Sequence, residues 1–360
     1  MRGPDHPDVA DSLGFLAGLL EATNRFGEAE PLYRRSLAIR EASYGPDHPH
    51  VAASLNNLAG LLQATNRFGE AEPLYRRSLA IREASYGPDH PHVASSLNNL
   101  ANLLQATNRY AEAEPLHRRA LAIREASYGP DHPHVASSLN NLANLLQATN
   151  RYAEAEPLHR RALAINEASH GSDHPDIAIN LNNLALLNRK MGRLAEAESL
   201  LRRALAIDEK VRGSSHPKIP HRLNNLATVQ MMQGNLVGAR DTLTRAWSLK
   251  SGQHDITSAR ILLVRYTMAL LEGVDGARFA SQLWTLLSEG ELPDYAQVIR
   301  VWDIGYLIDH LGPQLPPGVP EFLRALVAAM NDRSALPVLE EFAQWQEQEP
   351  AGLGVPWPER

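Results

Sequence analysis

Apolar positions in the first two thirds of the chain fall three and four residues apart in short blocks, and the blocks come in pairs. In HPHVAASLNNLAGLLQATN, Val51, Ala52, Leu55, Leu58, Ala59 and Leu62 mark one stripe of a helix. In the block that follows, Ala71, Leu74, Tyr75, Ser78, Leu79 and Ile81 mark another, over about Glu70 to Ser85. The first helix is expected to open at the His48-Pro49 pair, where a missing N–H would be unpaired anyway. It is expected to close at Asn66, a residue type that tolerates positive φ; the equivalent places hold Asn24, Asn108 and Asn150, then Gly192 and Gly234. Pro73 is expected in the first turn of the second helix, and Gly87-Pro88 is expected to end that helix with a left-handed cap.

The pair repeats. Gly45 to Tyr86 returns 42 residues later at Gly87 to Tyr128 with few changes, and again at Gly129 to His170. It returns more loosely from Gly171 and Gly213, and once upstream from Gly3, with His6, His48, His90, His132, His174 and His216 keeping register. A fixed period of this size implies a solenoid of stacked helix pairs. Leu58, Ala59, Leu62, Asn66, Phe68, Ala71, Tyr75, Ser78 and Leu79 follow the spacing of the tetratricopeptide repeat. With the GPDHP linker, the LNNLA core and EAEPLYRRSLAIRE, the chain resembles the 42-residue repeats of kinesin light chains, and equally the bacterial proteins carrying this repeat type. The resemblance covers about Gly3 to Lys250. It implies an all-α, right-handed superhelix of antiparallel helix pairs whose concave surface binds peptides. No heptad coiled coil precedes the array, so a role in a motor complex is not implied.

Six repeats are therefore expected over residues 3–250, starting near 3, 45, 87, 129, 171 and 213. Beyond Lys250 the register fails, yet helical periodicity persists between Gly/Pro-rich turns. A helical C-terminal domain over 251–346 is expected to cap the solenoid, followed by a flexible tail over 347–360. The chain starts on linker sequence with no capping helix ahead of it, so an end that stacks on another copy is a second expectation.

Composition narrows the function. The absence of cysteine excludes disulfides, thiolate metal sites and a cysteine nucleophile, and fits a reducing cytoplasm. A net charge of −6 gives no support to nucleic acid or anionic lipid as partners, and no apolar run is long enough to span a membrane. No phosphate-binding glycine loop, nucleophile elbow or H-E-x-x-H motif is present, so no enzyme activity and no cofactor is expected.

The candidate chemistry lies opposite the buried stripe of the first helix. That side reads Ala53/Asn56/Asn57/Gly60, Ser95/Asn98/Asn99/Asn102, Ser137/Asn140/Asn141/Asn144, Ile179/Asn182/Asn183/Leu186 and His221/Asn224/Asn225/Thr228. Such a ladder of carboxamides offers donors and acceptors to an extended peptide backbone of any sequence. Asparagine is a poor helix former, which calls for a reason. In the resembled family, asparagines of the LNNLA core contact peptide ligands. The competing expectation is that one asparagine of each pair only ties neighbouring helices together. Where the last turn carries Gln63, Gln105 and Gln147, the fifth repeat carries Arg189 and Lys190. With Ile179 and Leu186 these suggest an apolar pocket beside positive charge, for a bulky residue next to acidic ones. The arginine pairs such as Arg76/Arg77 read as a solvated outer face balanced by glutamates. His48, His50 and their equivalents read as helix caps rather than metal ligands, and His117 and His159 as packing residues in the slot of Tyr33 and Tyr75. A peptide-binding scaffold is thus expected, with a self-associating scaffold or the sensor module of a larger system as alternatives.

Overall fold

The computed structural model describes residues 6–250 together with 261, 264, 265 and 268. The expected C-terminal domain and tail lie outside the described residues, those four apart. The chain divides into two compact units, Met1–Ser169 and His170–Arg360. All regular structure among the described residues is helical. The first unit holds α1 (Pro7–Ala22), α2 (Phe26–Tyr44), α3 (Pro49–Ala64), α4 (Phe68–Tyr86), α5 (Pro91–Ala106), α6 (Tyr110–Tyr128), α7 (Pro133–Ala148) and α8 (Tyr152–His170), whose last residue falls past the boundary. The second holds α9 (Pro175–Lys190), α10 (Leu194–Arg212), α11 (Lys218–Met232) and α12 (Leu236–Ser248). No helix among the described residues is long and apolar enough to cross a membrane.

Each odd-numbered helix of α1 to α9 starts on its proline. The preceding histidine is the cap: His48 Nδ1 accepts from the His50 N–H at 3.2 Å, and His90 and His132 repeat this at 3.1 Å. The helix ends in a Schellman turn. Asn66, at φ 61°, donates its N–H to Gln63, and the Arg67 N–H reaches back to the Leu62 carbonyl at 2.8 Å. Even-numbered helices start two residues earlier than periodicity suggests, because Arg67 folds onto Glu70 with two hydrogen bonds of 2.7 Å. Pro73 is therefore the sixth residue of α4 rather than a first-turn residue. The carbonyl it leaves without a partner belongs to Gly69, an exposed residue, so water can take that bond. Gly87 ends α4 at φ 86° and ψ 159°. That is not the left-handed helical cap expected, but a region essentially reserved for glycine.

Two layers stack in the first unit. Val51, Ala52, Leu55, Leu58, Ala59 and Leu62 are all buried, and so are Ser54 and Leu61. The extra burial arises because α3 is covered by the preceding pair as well as by α4: Leu61 shares a cluster with Ala17, Leu20 and Tyr33. Truncating one of these leucines to alanine costs about 2–5 kcal/mol. Ala59, Ala71, Ala101 and Ala113 are fully buried, and their small side chains let the helices approach. In the second unit α11 is enclosed on every side: from Ile219 to Met232 only His221 is not buried. Ile261, Val264 and Met268 join the cluster of Ile219, Leu223 and Leu243, and Arg265 lies over the Trp247 ring, 5.8 Å from its centroid.

Candidate functional site

The two asparagines of each LNNLA core do different work. The first of each pair points toward its neighbours. Asn98 Oδ1 meets His117 Nδ1 at 2.9 Å, and Asn98 Nδ2 donates to Ser138 Oγ of the next repeat at 3.3 Å. Asn140 meets His159 in the same way. Asn56 accepts instead from Asn99 Nδ2 at 2.8 Å, and in the second unit Asn182 accepts from Asn225 at 3.0 Å. The second asparagine faces outward in the first unit: Asn57 is exposed, and Asn99 and Asn141 are half-buried. One turn along, Asn102 is exposed and Asn144 half-buried, with Ser95 and Ser137 on the same face. The outward row on α3, α5 and α7 is thus polar and uncharged.

Behind it sits a feature specific to two repeats. His117 and His159 are fully buried. Because the asparagine Oδ1 can only accept, the hydrogen lies on Nδ1 and leaves Nε2 bare; in both rings that nitrogen is buried with no hydrogen-bond partner. Burial away from water pushes both imidazoles down to about 4. Tyr33 and Tyr75 fill this slot in the earlier repeats, where Gly18 and Gly60 stand in place of Asn102 and Asn144. A Cβ at Gly60 would lie 3.6 Å from the Tyr75 hydroxyl, in ordinary van der Waals contact, so the two positions are direct neighbours. Glycine goes with tyrosine and asparagine with histidine at these two neighbouring positions.

The second unit departs from the expected pocket. Ile179 is exposed, and Leu186, Lys190 and Asn183 are half-buried. Arg189 is fully buried, so its charge is not offered to a ligand while α9 stays packed. Its position is that of Glu21 and Gln105, and Glu21 accepts from the Tyr33 hydroxyl at 2.8 Å; this place on the helix faces its partner, not solvent. Asn182, Asn224 and Asn225 are buried too, which closes the ladder at α11.

The tetratricopeptide repeat model matches residues 8–84, 51–126, 92–168, 134–210 and 176–250. The chain belongs to this family. Among solved structures, a single-substitution form of a Podosopora anserina kinesin light chain-like protein of nearly identical TPR-like repeats shares 26% identity with a TM-score of 0.50, covering 57% of this chain and 96% of that one. BtubC from P. vanneervenii shares 23% identity with a TM-score of 0.53, covering 63% and 89%. The apo form of RapI shares 16% with a TM-score of 0.58, covering 81% and 99%. The last two bear on the fold alone. No match was found among curated protein sequences.

The outer face of the tetratricopeptide array is neutralised from within. Glu72 takes both Arg76 and, from the next repeat, Arg109 at 2.7 Å; Glu30 and Glu114 do the same, and Arg77 reaches Glu41. The arginine pairs are therefore rungs between repeats rather than a phosphate-binding stripe. Sequence reading missed the contacts fourteen residues apart that join one repeat to the next: Arg40, Arg82 and Arg124 donate to Ser54, Ser96 and Ser138. At α10–α11 the same place holds Asp208 and Arg222, a buried ion pair at 2.9 Å, with Arg212 on the other carboxylate oxygen.

Proposed function

We propose that the chain is a binding scaffold which holds an extended peptide of a partner protein along the face formed by α3, α5 and α7, and performs no chemistry. The carrying observation is the row of Asn57, Asn102, Asn141 and Asn144 at the surface, with Asn99 beside it tied through Nδ2 to Asn56, while Asn98 and Asn140 are taken up by the buried histidines. Amides in series suit a peptide backbone, each bond contributing on the order of 1 kcal/mol. Within the second unit, Ile179, Leu186 and Lys190 on α9 form a surface of their own, suited to a bulky apolar residue beside an acidic one. Arg189 has no part in it.

The test is selection of linear peptides from a random display library on the full chain, with affinities measured by fluorescence polarisation. The comparison is N102L/N141L/N144L. Leucine already occupies the Asn144 position in the next repeat, at Leu186, so folding should be kept. Loss of several such bonds should weaken selected peptides by about tenfold or more. Equal affinity for both chains would sink the proposal. A second reading, a self-associating scaffold, is favoured by Phe15, Leu16 and Leu19 on α1. These are 72%, 47% and 52% exposed, where the equivalent Leu58 and Leu61 are buried. Light scattering over a concentration series separates the two readings, since a plain receptor stays monomeric.

A further inference from the structure

The linker between repeats carries a three-ring stack. In three successive repeats a tyrosine ending one helix lies on the capping histidine of the next, with a second histidine beside both: Tyr44, His48 and His50; Tyr86, His90 and His92; Tyr128, His132 and His134. Ring centroids of the tyrosine and the cap are 4.7 Å apart each time. In the next repeat two of the three positions change together. The tyrosine becomes His170 and the second histidine becomes Asp176, while His174 keeps the cap. One further on, the set is Arg212, His216 and Lys218, which no cation would join.

We propose that His170, His174 and Asp176 bind a divalent transition-metal ion, zinc above all. Each offers a ligand atom, and these atoms lie within 4.8 Å of one another. The rings of His170 and His174 are stacked with centroids 4.4 Å apart. His174 Nδ1 is 3.6 Å from Asp176 Oδ2, close to the separation of two ligands around one tetrahedral ion with bonds of about 2.0–2.1 Å. The lone pair of Nδ1 now faces the Asp176 N–H at 3.3 Å, the longest of the histidine caps, so coordination displaces a weak bond. Two imidazoles and a carboxylate are a borderline donor set that suits zinc, cobalt and nickel rather than calcium or magnesium. Asp173 is not part of the set, since Lys210 holds it at 2.5 Å. Three protein ligands on exposed or half-buried residues leave a coordination position facing solvent, open to water or to a partner's side chain. The ion would fasten the last residue of α8 to the first turn of α9. This site is independent of the peptide face.

The test is a zinc chloride titration of the full chain in competition with a chromophoric chelator, alongside H170Y/D176H. That variant restores the set that three other repeats already fold around, so a folding failure is not expected. The native chain should show one zinc site that the variant lacks, and only the native chain should gain melting temperature with zinc. D176N, which removes one ligand alone, should weaken the site by about tenfold or more. Identical titrations for native and H170Y/D176H would overturn the proposal, because the histidine caps common to both would then account for all binding.

Discussion

Between pH 7 and pH 4 the chain should lose on the order of 6 kcal/mol of stability, about 3 from each of His117 and His159. Both are held at about 4 in the fold against 6.5 in the free side chain, because burial disfavours the charged ring. A base with a depressed folded pKa takes up fewer protons folded than unfolded in the interval between the two values. Stability is therefore complete above about 6.5, falls as pH drops toward 4, and levels off below. The carboxylates of Glu30, Glu72 and Glu114 act in a separate window. Their arginine partners hold them low against the opposing effect of burial, so their contribution is present above 4.5 and lost only as pH falls further. The discriminating variant exchanges the whole filling: N102G/H117Y with N144G/H159Y, the pairs that Gly60 and Tyr75 already form. Repeats of a solenoid open individually, so the readout is hydrogen exchange in α5 to α8 as a function of pH. Protection in the native chain should fall steeply between pH 6.5 and 4. In the exchanged chain it should stay nearly flat down to about 4.5, where the glutamates begin to contribute. The same slope in both would show that the buried imidazoles do not govern acid sensitivity.

The helix boundaries were legible because each is written in a residue with one conformational use. His48-Pro49 and Asn66 recur at fixed spacing, and the caps and the positive φ follow from them. The early start of α4 was not legible, because it depends on Arg67 closing onto Glu70, an ion pair the apolar period does not record. The site was harder. Asn98 and Asn99 are the same residue type, one helical step apart. Their separate roles come from His117, nineteen residues on in Asn98's case, and from Asn56, forty-three residues back in Asn99's. Arg189 shows the opposite error. A helical wheel assigns a charged residue to the open side, whereas Tyr33 bonding Glu21 reveals that this position faces the partner helix. The repeat itself could have warned of this, since the equivalent Gln105 is buried as well.

Removing either partner at the α10–α11 junction should be the most damaging single change. Asp208 is 1% exposed and Arg222 6%, so R222A strands a carboxylate that keeps only Arg212, and D208A strands a guanidinium. Breaking a buried pair in this way costs about 3–5 kcal/mol, mainly through the uncompensated charge. The other junctions say how to repair it. Arg82 donates to Ser96 and Arg124 to Ser138 at 3.0 Å, with the arginine on the earlier helix. D208R/R212Y/R222S rewrites the odd junction in that form, with the tyrosine that Tyr44, Tyr86 and Tyr128 supply at the Arg212 position, and should recover most of the loss, as read by hydrogen exchange across α10 and α11. If the triple variant is no better than R222A, the fourteen-residue contact is not the common joint between repeats. If it recovers, the inverted pair is dispensable for stability, and its value lies elsewhere. Among repeats this similar, α10 could dock on α3, α5 or α7 nearly as well as on α11, but only α11 answers Asp208 with an arginine. A buried charge that fits one neighbour fixes the order of otherwise interchangeable repeats. The repaired chain should accordingly refold with a lower yield of the native form than the natural one.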